Sequence, residues 1–244
     1  MAKAADWDDG LIGTKAGAFG KRGTIDGLIT LNQKPSDVMS SMLSANRGFI
    51  CKSAGKVWPT SSIPRKPVAT IHDGILTGAI EYQAAKPKRD LLNSVKPRFS
   101  APDREYQQVD GPALTREDLI EQDQELLEGS LDLPFTLGDP EAVKPQYLTK
   151  AYLETSRLGR QITCNVDTFV LAKARDDLIG NSVNFSLSLF PKLNGTYFVS
   201  KWGFADNFGS IQLSLTEYDT SIETDFNAAT DQQDFVLPPV DVDS

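Results

Sequence analysis

The sequence predicts a mainly β fold with α+β parts: an antiparallel, barrel-like β domain preceded by a small α/β module, with extended arms at both ends. Three observations predict it. From Val68 onward, short apolar segments alternate with polar residues and are broken by Gly, Pro, Asn and Asp, the texture of strands joined by turns. Between residues 24 and 67, one stretch of helical period sits between stretches of strand period. At both ends the apolar residues are too sparse to build a core. The expected divisions are an extended N-terminal arm (1–23), the α/β module (24–67), the barrel-like domain (68–223) with one main helix near 145–158, and an acidic C-terminal arm (224–244).

Each element has a local reason. Residues 1–23 hold five glycines and no sustained apolar period, so an arm that folds onto a partner is expected. Residues 24–31 alternate as a strand does. Pro35-Ser36-Asp37 opens a helix whose Val38, Met39, Met42 and Leu43 recur on one face, and Gly48 is expected as its left-handed stop, because a missing Cβ removes the penalty on positive φ. Residues 49–52 and 56–59 around Ala54-Gly55 read as a hairpin, and Pro59, Pro64 and Pro67 as a joint. Thr115 with Asp118 three residues on offers a capping box for a short helix over 115–122. The longer helix begins near Asp139-Pro140 or Pro145, runs through Leu148, Ala151, Tyr152 and Thr155, and stops by Gly159. A proline inside a helix costs ~3 kcal/mol, so a break or second start at Pro145 is expected.

In the last third, Ile162, Cys164, Val166, Thr168 and Val170 alternate with polar residues and Phe169, and Phe185, Leu187 and Leu189 alternate with Asn184, Ser186 and Ser188, as half-buried strands do. Asn194-Gly195 suits a type I′ turn. Residues 196–204 follow as a strand with Phe198, Trp202 and Phe204 on one side. Asp206-Asn207-Phe208-Gly209 then turns the chain into 210–217, closing a three-strand antiparallel meander.

With 244 residues, 40% of them hydrophobic, the chain can bury one large core or two modest ones. No apolar run approaches the ~20 residues of a membrane-spanning helix, and the first 23 residues carry no apolar core of a secretion signal; a soluble protein made in the cytosol is expected. Cys51 and Cys164 lie far apart without C-x-x-C spacing and read as buried thiols. Net charge is −8, yet the last 28 residues hold Glu217, Asp219, Glu223, Asp225, Asp231, Asp234, Asp241 and Asp243 with no Lys or Arg, which leaves a body of 25 acids and 25 bases. No basic stripe is visible in the sequence, so specific nucleic-acid binding is disfavoured.

Candidate chemistry is sparse. His72 is the only histidine and lies in Ile71-His72-Asp73-Gly74 without a G-x-S-x-G or Cys signature, which suits a turn. Glu125 with Glu128, and Asp176 with Asp177, are acid pairs of the sort that chance supplies among 33 acids. Asp6, Asp8 and Asp9 before Gly10 lack the spaced third ligand and closing Glu of a calcium loop. Gly10, Gly13, Gly17, Gly20 and Gly23 are followed by no G-K-[ST]. The Asn194-Gly195-Thr196 and Asn184-Phe185-Ser186 acceptor triplets read as a turn and a strand. Tyr197, Phe198, Trp202 and Phe204 form a conceivable sugar-stacking platform, although aromatics at period two usually face a core. No catalytic residue, metal or cofactor is expected.

Three stretches together resemble a known family. Ile25-Asp26-Gly27-Leu28-Ile29, Pro35-Ser36-Asp37-Val38 and Gly48-Phe49-Ile50 form the first. Lys88-Arg89-Asp90-Leu91-Leu92-Asn93-Ser94-Val95, with Arg98-Phe99, Tyr106-Gln107 and Leu131-Asp132-Leu133-Pro134-Phe135, form the second. Gly195-Thr196-Tyr197-Phe198-Val199, Trp202, Ile211-Gln212-Leu213-Ser214-Leu215 and Glu217-Tyr218-Asp219 form the third. In order and spacing they are similar to the phage tail hub family that includes the tip attachment protein J and tail proteins of gene transfer agents. Family members are commonly longer on both sides, and Pro145 departs from the family's uninterrupted helix. The resemblance implies a non-enzymatic virion component at the tail tip or baseplate hub. It implies a homotrimer that closes the tail tube, without a cofactor, and mounts fibre or receptor-binding parts for host attachment.

The partners it implies are further copies of the chain, a distal tail ring, the end of the tape measure, and fibre or additional hub chains. DNA passes through the lumen without being specifically bound, and an acidic lumen wall is expected to repel it. Phe235, Val236, Leu237, Pro238 and Pro239, apolar among acids, are the expected anchors of the C-terminal arm on a partner. The rival readings are a receptor- or carbohydrate-binding module at the tail end and a tail-borne hydrolase using the acidic pairs.

Overall fold

The computed structural model describes residues 11–13, 19–21, 23–27, 29, 32–53, 56–62, 66–138, 143–170, 178–224, 226–227 and 231. In chain order the elements are β1 (Leu11–Gly13), β2 (Phe19–Lys21), α1 (Pro35–Ser44), β3 (Gly48–Ser53), β4 (Lys56–Ser61), β5 (Thr70–His72), β6 (Leu76–Gln83), β7 (Ser94–Ala101), β8 (Gln107–Asp110), β9 (Leu114–Thr115), α2 (Glu117–Asp123), β10 (Glu128–Leu137), α3 (Val143–Arg157), β11 (Gln161–Asp167), β12 (Ser182–Ser186), β13 (Gly195–Ala205), β14 (Ser210–Glu217) and α4 (Ser221–Thr224). The fold is mostly β, as the sequence predicts. Described residues fall into two compact units: one takes those up to Phe49, Leu92–Leu153 and those after Asp225; the other takes Ile50–Leu91 and Glu154–Thr224.

In the first unit β7 is the central strand. β10 runs parallel to it, while β8 and β9 pair with it antiparallel. Phe99 and Leu133 from the sheet meet Val143, Tyr147 and Leu148 of α3, with Val109, Leu131 and Phe226 packed around them. The Phe99 ring dictates a glycine: a Cβ on Gly138 would stand 2.1 Å from its Cε2. Asn93, fully buried, ties the loops together, its amide donating to Glu125 O at 2.8 Å and Asp123 Oδ2 at 3.1 Å while its Oδ1 accepts from Leu127 N at 2.7 Å.

Several expectations for this unit are corrected. Within residues 1–23, β1 and β2 form a short antiparallel ladder. In residues 24–31 the described positions are in no strand; Asp26 N donates to Phe135 O at 3.0 Å. α1 forms where expected, but its left-handed exit is Arg47, at φ 51°, and Gly48 opens β3 instead. α2 also forms, without the capping box: Thr115 is drawn into β9, its hydroxyl 2.9 Å from that of Ser94, and Asp118 is gripped by Arg116 at 2.8 Å. α3 is one helix through Pro145. Starting at Val143, it places the proline in its first turn, where backbone N–H groups have no intrahelical acceptor and nothing is lost.

In the second unit six strands form one sheet in the order β5-β12-β13-β14-β11-β6. All neighbours are antiparallel except β5 and β12, which are parallel. β5 and β6 lie at opposite edges yet are joined only by Asp73–Ile75. Four residue steps span at most about 14 Å, whereas five strand spacings in a flat sheet come to about 24 Å. The sheet is therefore curled into a half-barrel. Ile162, Cys164 and Val166 from β11, Phe185 from β12, Tyr197 and Val199 from β13, and Ile211, Leu213 and Leu215 from β14 fill its concave side.

The predicted meander is present, with three corrections. A bulge between Val199 and Lys201 inserts one residue, so Trp202 and Phe204 pair with the inward Leu213 and Ile211 while Phe198 pairs with Thr216 on the other face. Asn194 and Gly195 form no type I′ turn, because a 3-10 turn at Pro191–Leu193 already reverses the chain. Asn194 works as a side-chain strand instead, accepting from Leu187 N at 2.6 Å and donating to Leu187 O at 3.1 Å, and Gly195 supplies φ 153°. β11 and β12 end at Asp167 and Ser186, short of Val170 and Leu189. The expected hairpin exists as a two-stranded sheet of β3 and β4, with Pro59 inside β4 rather than in a joint; Pro64 lies outside the described residues.

Candidate assembly surface

The residues with chemical potential are engaged in structural work. His72 ends β5, exposed, and its Nδ1 accepts from Gly74 N at 3.1 Å, capping the turn that follows. Glu125 and Glu128 are both exposed, at the approach to and the first residue of β10. Burial pushes the Cys164 thiol up to about 12, the opposite of what a nucleophile requires. No group of three or more metal-ligating side chains gathers among the described residues. Asp6, Asp8, Asp9, Asp176 and Asp177 lie outside the described residues, as do Phe235, Val236, Leu237, Pro238 and Pro239.

The acidic segment is partly absorbed into the body. Glu217, at the end of β14, accepts from Gly159 N and Arg160 N, each at 3.1 Å, and from Arg160 Nε at 2.7 Å. Burial raises its pKa, but these donors prevail and hold the carboxyl below its ordinary value. Asp219 accepts from Ser221 N at 2.9 Å in the turn that leads into α4. Asp231 accepts from Lys150 Nζ and from Asn227 N, both at 2.7 Å, while Phe226 meets Tyr147 edge-on at 5.7 Å between centroids.

The second unit presents exposed apolar side chains at its turns. Trp202 stands edge-on to Phe204 at 5.5 Å, and Phe204 lies 4.9 Å from Phe208. Phe204 is 51% and Phe208 70% exposed. Phe208 and Asp206 have φ of 71° and 50°. A left-handed backbone on a bulky residue costs about 1–3 kcal/mol and persists only where its surroundings fix it. Here the Ser210 hydroxyl donates to Asp206 Oδ2 at 2.5 Å and Gly209 N donates to Asp206 O at 3.0 Å. Since Asp167 pairs with Ser210, the exposed Phe169 leaves β11 at the same sheet end.

Elsewhere Leu189 and Phe190 are exposed on a turn fixed by Asp73, whose Oδ2 accepts from Ser188 N at 2.9 Å and Ser188 Oγ at 2.6 Å. These bonds, the hydroxyl's first, lower the Asp73 pKa. β6 is paired only with β11, so among the described residues one edge of the sheet carries no further strand. Of the imagined aromatic platform, Tyr197 is core, its OH donating to Leu193 O at 2.9 Å, and Phe198 faces away. The sequence reads Leu189 and Phe169 as strand residues and Phe208 as part of a turn, and with Phe190 none of them as an exposed surface; apolar residues inside turn segments are the signal.

No family model matches the chain, and no curated protein matches it in sequence. Solved structures do share its fold. The tail protein of Neisseria meningitidis MC58 superposes with a TM-score of 0.53 at 14% identity, covering 88% of this chain and 63% of its own. The 43 kDa tail protein of prophage MuSo2 from Shewanella oneidensis gives 0.50 at 10% identity, covering 80% of this chain and 54% of its own. The chain thus spans less than two thirds of either protein's length. Its fold is one found in phage tail proteins.

Proposed function

We propose that the chain is a structural component of a bacteriophage tail, positioned at the tail tip or baseplate hub, where copies form a ring that closes the tail tube and mounts fibre or receptor-binding parts for host attachment and DNA delivery. The carrying observation is a half-barrel fold shared with tail proteins over most of the chain. A curled sheet whose β6 edge carries no further strand among the described residues, with apolar side chains at its turns, suits contact with other chains. In this reading the chain performs no catalysis and needs no cofactor. Its partners are further copies, most simply three, with a distal tail ring, the tape-measure end and fibre or additional hub chains, and Phe235, Val236, Leu237, Pro238 and Pro239 anchor the C-terminal segment.

Immunogold labelling of virions with an antibody to the chain tests this: gold confined to the distal end of the tail is expected, and particles without label overturn it. A second reading, a receptor- or carbohydrate-binding module at the tail end, is favoured by one observation, the exposed Phe204 and Phe208 beside Trp202. Glycan-array binding lost on Phe208→Ala supports that reading; a blank array counts against it.

A further inference from the structure

We propose that two copies of this chain pair through their β6 edges, antiparallel and about a two-fold axis at Ala79. The contact is separate from those that close a ring, because a two-fold pair closes on itself. The edge is open. β6 pairs with β11 on one side, and among the described residues no strand pairs with its other side. Thr77, Gly78, Ala79, Glu81, Tyr82 and Gln83 are exposed, which leaves only Leu76 and Ile80 half-buried. Natural sheets guard such an edge with Lys, Pro or a bulge. β6 has neither Lys nor Pro. Its one irregularity lies between the pairs Leu76–Val166 and Ile80–Cys164, where Thr77, Gly78 and Ala79 face Asn165 alone and have no partner residue on β11. The guard is partial, and the middle of the strand is where a partner's backbone is needed most.

A second copy fits this edge because the two ends of β6 carry opposite charge. Asp73 lies three residues before the strand, and Asp167 follows Val166, the partner of Leu76. Beyond Gln83 come Lys86, Lys88 and Arg89 against one acid, Asp90. Antiparallel pairing of like edges sets the acidic start of each strand beside the basic end of the other. With Ala79 on the axis, Leu76 stands opposite the other copy's Tyr82, Thr77 opposite Glu81 and Gly78 opposite Ile80, and no acid meets an acid. Tyr82, 41% exposed, gains apolar cover. Leu189 and Phe190, 76% and 56% exposed, add to it, because the bonds from Ser188 to Asp73 hold their turn at the start of β6, where the partner's Tyr82 end arrives.

The test uses the full chain. Light scattering over a range of concentrations should show a monomer of 26.7 kDa passing into a dimer, and amide exchange over residues 76–83 should slow as the dimer forms. Ala79→Lys, which sets two cations face to face at the axis, should weaken dimerisation at least about tenfold with circular dichroism unchanged. Lys88→Glu with Arg89→Glu should weaken it about tenfold at low salt, whereas the same change of net charge at the exposed Lys34 and Lys52 should alter it less than about twofold. Under mild oxidation Ala79→Cys should crosslink to itself, since residues opposite each other in a ladder lie within disulfide reach, and Glu81→Cys should not.

A wild type that stays monomeric at every concentration overturns the proposal, as does a dimer whose β6 amides exchange as fast as the monomer's. A crosslink through Glu81→Cys in place of Ala79→Cys, or dimerisation indifferent to Ala79→Lys, does the same. Assemblies that grow past the dimer would mean head-to-tail contact and equally overturn the two-fold pairing. Each of these failures leaves the tail role standing, since virion labelling decides that separately.

Discussion

Replacing Glu217 with Gln should destabilise the second unit in a pH-dependent way. The carboxylate takes hydrogen bonds from Gly159 N, Arg160 N and Arg160 Nε, and Glu217 N donates to Arg160 O at 2.8 Å, so the pair closes the end of the half-barrel where β11 starts and β14 stops. The Glu217 side chain is 17% exposed and that of Arg160 38%. A hydrogen bond to a charged group contributes about 1.5–3 kcal/mol, and breaking a fully buried pair costs about 3–5 kcal/mol. With Arg160 partly in water, the loss is discounted to about 2 kcal/mol.

The sign follows from the direction of the shift. The folded pKa lies below the unfolded one, about 4.3, so the contribution is fully present above that pH and disappears as pH falls through the folded value. Urea unfolding followed by the fluorescence of Trp58 and Trp202, both in this unit, measures it. At a slope of about 2 kcal/mol per molar, the variant midpoint should fall by about 1 M at pH 7. That gap should shrink steadily below pH 4. A gap independent of pH, or none at pH 7, would refute the clamp.

Gly138→Ala should cost about 1–3 kcal/mol through collision with Phe99, whereas Gly203→Ala, whose Cβ would meet nothing within 4 Å, should change stability by less than about 0.5 kcal/mol; paired thermal melts check both. The Cys164 thiol, pushed up to about 12, should resist iodoacetamide at pH 8 in the native chain and react on unfolding, as mapped by mass spectrometry. Phe226→Ala, which removes the edge-on contact with Tyr147, should lower first-unit stability by about 1–2 kcal/mol, a partial value because the ring is half-buried; amide exchange in β7 and α3 reads it.

What the sequence made legible is what period and composition encode. The inward residues of β11 and β14, the position of α1 and the β3–β4 hairpin follow from alternation and turn residues alone. Misplaced features share one cause, the override of a local signal by a distant partner. Thr115 is an ideal cap until Ser94 draws it into β9. Asn194-Gly195 is an ideal turn until the Asn194 side chain pairs with Leu187. The bulge beside Ser200, which sends Trp202 and Phe204 to the opposite face from Phe198, has no marker in the local pattern. For the assembly surface, Glu217 and Asp231 looked like tail charges because Arg160 and Lys150, their partners, are 57 and 81 residues away.

The central proposal is that this half-barrel is a building block of a phage tail. A cryo-electron microscopy reconstruction of the tail end, at a resolution that traces side chains, tests it most directly. The account predicts symmetric copies of the chain in a ring at the distal end. Virions in which no density accommodates the chain would contradict it.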